Sequence, residues 1–217
     1  MIRSMTETDY IQEAQNALLK LCGTEFPDPF LEPFPSKIEK SLVLYPYING
    51  VPDEQLMKSI IAAASKLGDN GFYLSANCKR PSDNKYVYHW YVSFDDTLNY
   101  KEITLPHIME YILYSPQGIW GIVSSDETHG ILGGSDLFVN EITQSVSEIN
   151  NQVLDFLEYW KKFKKEYPEK VNASWMEILL KNIYGEVQAE RLLLQANWNE
   201  VSELNKLFPF PPEYRFS

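Results

Sequence analysis

The chain has 217 residues, 44% hydrophobic and 23% charged, with a formal net charge of −11 and two cysteines. That length can bury one substantial core without staples, and Cys22 and Cys78, far apart and without a C-x-x-C pattern, argue against a disulfide framework or a cysteine-rich metal site. No apolar run approaches the roughly 18–20 residues of a membrane span, and the start, MIRSMTETDY, lacks the apolar stretch of a signal peptide, so a cytoplasmic chain with no membrane partner is expected.

An amphipathic helix is predicted from about Thr8 to Leu21, with Ile11, Ala14, Leu18 and Leu19 at helical spacing. The prolines of GTEFPDPFLEPFPS lack amide hydrogens and exclude regular structure, while Phe26, Phe30, Leu31 and Phe34 suit a linker that packs on the body. KSLVLYPYI reads as a strand whose Pro46 places its end at an edge or bulge. Pro52 to Leu67 is a helix, with acids in its first turn, Lys66 in its last and Gly68 as a stop.

Five short apolar runs follow: GFYLSANC, KYVYHWYVSF, IMEYILYS, IWGIVSS and HGILGG, with RPSDN and SPQG as turns. In the second, Tyr86, Tyr88, Trp90 and Val92 share one face and Val87, His89, Tyr91 and Ser93 the other, so a strand covered on both sides is expected. From Ser135, a suitable cap, a helical stripe runs from Leu137 to Trp160 and ends at the basic KKFKKEYPEK, read as a solvated helix end. A last long helix is predicted from about Ser174 to Ala196, with Trp175, Ile178, Leu179, Ile183, Val187, Leu193 and Leu194 on its apolar side, then an aromatic, proline-rich arm. The fold class is therefore α+β, an antiparallel five- to six-stranded meander packed against helices, with C-terminal helices. A single domain, 1–217, is expected, comprising an N-terminal helix and linker (1–37), a helix-on-sheet part (38–134) and a helical part (135–217).

No P-loop, G-x-S-x-G elbow, H-E-x-x-H helix or G-x-G-x-x-G fingerprint is present. His89, His107 and His129 lie on separate strands or loops, too scattered in sequence to define a metal site, which needs three or four converging ligands. Asp95-Asp96 and Asp126-Glu127 sit at turns, where neighbouring acids serve solubility and local hydrogen bonding. Gly130, Gly133 and Gly134 precede a helix start, a place where anions bind, but Asp126, Glu127 and Asp136 would repel phosphate. No catalytic residue, metal or cofactor is assigned, and an enzyme is not expected.

Charge carries more information. Between Asp83 and Asp155 stand eleven acidic residues and two lysines, a net −9 of the chain's −11. Such a field repels nucleic acid phosphate and anionic lipid and steers a basic partner at an enhanced rate; the alternative reading is surface charge that serves solubility alone.

The segment from Tyr114 to Phe138 resembles immunity proteins of bacterial polymorphic toxin and contact-dependent inhibition systems. The resemblance rests on Tyr114, Ser115, Pro116, Gly118, Trp120, Gly121, Ile122, Glu127, His129, Gly133, Gly134 and Phe138. It implies a non-catalytic protein that neutralises a cognate toxin, often a nuclease, by covering its basic active site. The expected partner-binding residues are Asp95, Asp96, Asp126, Glu127 and His129, with Tyr88, His89 and Trp120 as aromatic anchors. The alternative is a small-molecule sensor or regulatory domain with a pocket lined by Tyr73, Tyr86, Tyr88, Trp90 and Tyr111.

Overall fold

The computed structural model describes residues 2–5, 8–34, 38–47, 52–77, 89–94 and 110–208. Seven strands, β1 (Ile2–Ser4), β2 (Lys40–Leu44), β3 (Gly71–Ala76), β4 (His89–Ser93), β5 (Tyr111–Tyr114), β6 (Gly121–Ser124) and β7 (Gly130–Gly134), form one antiparallel sheet in the order β1-β4-β3-β5-β6-β7-β2. The five expected strands are β3 to β7, and KSLVL is the edge strand β2; the short β1 is added at the other edge. β5, β6 and β7 follow one another as a meander, whereas β5 pairs with β3 and leaves β4 outside it.

The helices are α1 (Thr8–Cys22), α2 (Glu54–Lys66), α3 (Asp136–Ser145), α4 (Gln152–Glu166), α5 (Trp175–Tyr184), α6 (Glu186–Gln195) and α7 (Asn199–Leu207). No helix among the described residues is long and apolar enough to cross a membrane. They cover both faces of the sheet. Strand side chains alternate between the layers: Phe72, Leu74, Trp90, Leu113, Ile122 and Leu132 pack with α2 and α3, while Tyr73, Ile112, Tyr114, Val123 and Ile131 pack with α1 and α4 to α7. This alternation settles the aromatic strand, whose Trp90 and Val92 face the α2–α3 layer and whose Tyr91 faces the other.

Local signals work where they concern one turn of chain. Asp53 caps α2, its Oδ1 accepting from the Leu56 amide at 2.8 Å, and Ser135 caps α3 through the Phe138 amide at 3.3 Å. Both long helices of the second half, however, are broken. Val146 turns extended and Glu148 adopts φ 63°, so the stripe from Leu137 to Trp160 is two helices. The break carries the chain around the sheet: Phe138, Val139 and Ile142 of α3 are buried on one face, Val153, Phe156 and Trp160 of α4 on the other.

Gly185, at φ 74°, likewise separates α5 from α6. Beyond it the apolar phase shifts, so Val187 and Leu194 are exposed by 76% and 65% and Ala189 and Leu192 fill the core; within α5, Trp175, Met176, Leu179 and Leu180 are buried and Ile178 is 51% exposed. The basic end of α4 is also less solvated than expected. Lys164 is buried and its Nζ donates to the Pro168 and Val171 carbonyls at 2.6 and 2.7 Å, while Lys165 pairs with Glu200 of α7.

The glycines of β6 and β7 are packing devices. A Cβ on Gly133 would lie 2.5 Å from the Phe34 ring, and one on Gly121, its partner across the ladder, 2.5 Å from Leu21. Phe34 is itself buried. Gly133→Ala should therefore destabilise by about 1–3 kcal/mol through overpacking, read as a lower urea midpoint at unchanged slope. An unchanged midpoint would mean that the Phe34 loop yields freely.

Candidate functional site

One end of the sheet gathers carboxylates. The turn Ser125–His129 joins β6 to β7 and is fixed by its own hydrogen bonds. The Ser125 amide donates to the His129 carbonyl at 2.9 Å, Ser125 Oγ accepts from the Glu127 amide at 2.8 Å, and Thr128 takes φ 62°. The Thr128 carbonyl in turn accepts the Tyr47 amide at 2.8 Å. Asp126 and Glu127 are exposed at its tip.

Beside them stands Glu110, whose carboxylate accepts from Asn77 Nδ2 at 3.3 Å. Burial first, then the charge of Asp126, push the Glu110 carboxyl up to about 7; the Asp126 amide opposes the rise, and the charge of Asp28 adds to it. Burial and Asp126 also raise Glu127 above the usual carboxylate range. None of the described salt bridges reaches Asp28, Glu110, Asp126 or Glu127. Among the described residues no group of three or more histidines, cysteines or acids is arranged to hold a metal ion.

His129 lies beneath this turn, fully buried, and is a support where a contact residue was expected. Its Nε2 is 3.1 Å from the Pro29 carbonyl, which can only accept, so Nε2 carries the proton and Nδ1 accepts from Ser125 Oγ at 3.0 Å. The ring stacks on Trp175 and meets the edge of Phe30. Burial pushes the imidazole down to about 4, so it is neutral at physiological pH.

Trp120 is equally unavailable to a partner: it has no exposed surface, stacks on Phe138 at 4.8 Å and donates from Nε1 to Asp69 Oδ2 at 2.7 Å. Its neighbour Gly121 leaves no room for a side chain, since a Cβ there would lie 2.5 Å from Leu21 and 3.0 Å from the Leu113 carbonyl. His89, 6% exposed, is buried too. It heads a hydrogen-bonded chain whose direction follows from its last acceptor. Tyr114 Oη donates to the Ala14 carbonyl at 3.1 Å, so it accepts from Ser75 Oγ at 2.9 Å, and Ser75 accepts from His89 Nδ1 at 2.6 Å.

Of the expected contact residues, then, Asp126 and Glu127 come together at an exposed tip, and His89, His129 and Trp120 belong to the interior. Asp95, Asp96, Tyr88 and His107 lie outside the described residues, as do Tyr86 and Cys78. His89 and His129 sit at β4 and β7, four strand spacings or about 19 Å apart, so those two do not share a site. The expected aromatic pocket is divided as well: Trp90 and Tyr111 face the α2–α3 layer, Tyr73 the α1 layer.

Two contributors to the acidic end, Asp28 and Glu110, carry no motif. Asp28 enters because Pro29 is strapped under the turn by His129, a contact spanning 100 residues. No family model matches the chain, and neither a curated protein nor a solved structure is detectably similar to it.

Proposed function

We propose that this chain is a binding protein that presents the acidic end of its sheet to a basic protein, and that the partner is a toxin domain for which the chain serves as an immunity protein. The observation that carries the reading is the group of carboxylates at Asp28, Glu110, Asp126 and Glu127, which none of the described salt bridges reaches and where burial first, then the charge of Asp126, push the Glu110 carboxyl up to about 7. Like charges held together on a rigid turn destabilise the free protein slightly, and a partner's lysines or arginines relieve that cost. The resemblance of Tyr114 to Phe138 to immunity proteins supports the same reading, since that segment supplies both the exposed acids and their buried footing.

The test is binding to the C-terminal domain of the protein encoded immediately upstream. Asp126→Lys with Glu127→Lys should weaken association by about 100-fold or more, in line with about 3 kcal/mol for reversing two interfacial charges, and should flatten its dependence on salt. Binding near pH 7 should also release protons as Glu110 ionises beside the partner's cations, measurable by calorimetry in buffers of different ionisation enthalpy. Unaltered affinity and salt dependence in the double variant would overturn the proposed interface.

A further inference from the structure

We infer that the outer face of α6 pairs with the same face of a second copy of this chain, the two helices running antiparallel about a twofold axis. This goes beyond the acidic-end reading and uses none of its residues.

α6 buries only Ala189 and Leu192, and seven of its ten residues are exposed. Helical geometry sets Val187, Arg191 and Leu194 within roughly 60° of one another on the side turned away from those two, with Glu190 beside them. Val187 and Leu194 are 76% and 65% exposed, and seven residues apart they define an apolar line about 10.5 Å long. Covering both removes apolar surface from water.

The face is complementary to itself. Reflecting it about the midpoint between Glu190 and Arg191 sets Val187 against Leu194 of the second copy and Glu190 against its Arg191, and the twofold axis repeats both contacts in reverse. A parallel pairing would instead oppose Glu190 to Glu190 and Arg191 to Arg191, which repel. The antiparallel arrangement is therefore the one that the charges select.

Both charges are open to such pairing. None of the described salt bridges or hydrogen bonds engages the Glu190 carboxylate, and Arg191 makes one described bond, from Nη1 to Gln188 Oε1 of its own helix at 3.4 Å. Glu186, at the start of the helix, is held by Lys181 at 3.2 Å. The remaining charges of the face cancel, and that neutrality identifies the occupant. A basic protein would meet repulsion from Arg191 as well as attraction from Glu190, and an anionic membrane would meet a carboxylate beside the one guanidinium. A second copy meets each charge with its opposite.

The contact strip, about 15 Å long and 10–12 Å wide on each copy, falls well below the roughly 1,200–2,000 Å² of stable complexes, so a weak dimer is expected, with a dissociation constant of about 0.1 mM. Sedimentation equilibrium of the full chain between about 10 µM and 1 mM, spanning that constant, should show the mass rising from 25.2 kDa toward twice that value. Leu194→Asp, at an exposed position, should melt like the parent and remain monomeric. Glu190→Arg and Arg191→Glu should each weaken self-association by about tenfold or more, because each sets like charges face to face. Both substitutions in one chain should restore it to within about threefold of the parent, since the exchanged charges form the same two pairs. A chain that stays at 25.2 kDa at the highest concentration overturns the inference and leaves this face to a different protein. Dimerisation unaffected by Leu194→Asp, or a double exchange no better than either single one, overturns the pairing as well.

Discussion

Asp69→Ala should lower the unfolding free energy by about 3–5 kcal/mol, whereas Asp69→Asn should cost about 1 kcal/mol. Asp69 follows α2, is 7% exposed, and accepts hydrogen bonds from three neutral donors that all come from the β5–β6 hairpin. Trp120 Nε1 and Ser115 Oγ bond its Oδ2 at 2.7 and 2.8 Å, and Gln117 Nε2 bonds its Oδ1 at 2.8 Å. Alanine strands the Trp120 and Ser115 donors in places with no exposed surface, at about 1–3 kcal/mol for each unsatisfied group. Asparagine keeps one acceptor oxygen for both of them. Its amide then meets Gln117, an exposed side chain that can rotate its own amide to accept, at the loss of its bond to the Leu67 carbonyl. Urea titrations followed by tryptophan fluorescence would measure both variants. Equal losses would mean that side-chain volume, and not the acceptor pair, holds the hairpin to α2.

The second large effect is a pH dependence placed at His129. Its ordinary value of 6.5 is lowered to about 4 in the folded chain by burial. Between those values the unfolded chain binds a proton that the folded chain does not, so stability rises with pH across the window. The contribution is complete above pH 6.5 and is lost as pH falls toward 4, by about 3 kcal/mol at 1.36 kcal/mol per pH unit. Glu110 acts with the opposite sign. Its value is raised from 4.5 to about 7, so the folded chain holds the extra proton, and its contribution is present at low pH and lost as pH rises through that range. The two oppose each other between pH 4.5 and 6.5, and the net slope of the parent is smaller than either.

His129→Gln isolates the histidine, because a carboxamide can still donate toward the Pro29 carbonyl but does not titrate. The variant should lose about 3 kcal/mol less than the parent between pH 7 and pH 4, whatever its starting stability. Denaturant titrations at the two pH values would show this. A parent and variant with the same pH slope would mean that the imidazole charges without penalty, contrary to its burial against Trp175, Phe30 and Phe156.

These two positions also mark what could be read before folding. The acidic turn was legible, because adjacent acids between two short apolar runs announce a turn and turns present their side chains to solvent. Its neighbours Asp28 and Glu110 were not, since nothing in a proline-rich linker or at the start of β5 says that they meet. Trp120, His89 and His129 look like anchors in one dimension, where aromatic and titratable side chains beside acids invite contact. In three dimensions each is enclosed by a second layer of helices, which removes it from any partner's reach.

By itself the sequence determined the α+β class, the five strands β3 to β7, the cap at Ser135 and the acidic excess of the middle third. All of these depend on the residue's own chemistry or on spacings within a turn or two. Tertiary structure alone decided that β5 pairs with β3, that the stripe from Leu137 to Trp160 passes from one face of the sheet to the other, and that Gly185 resets the apolar phase. Both faces of this sheet are apolar, so periodicity records that a side chain is buried but not which layer buries it. That choice is made by contacts across the chain, such as Phe34 against Gly133 and Ala14 against Tyr114.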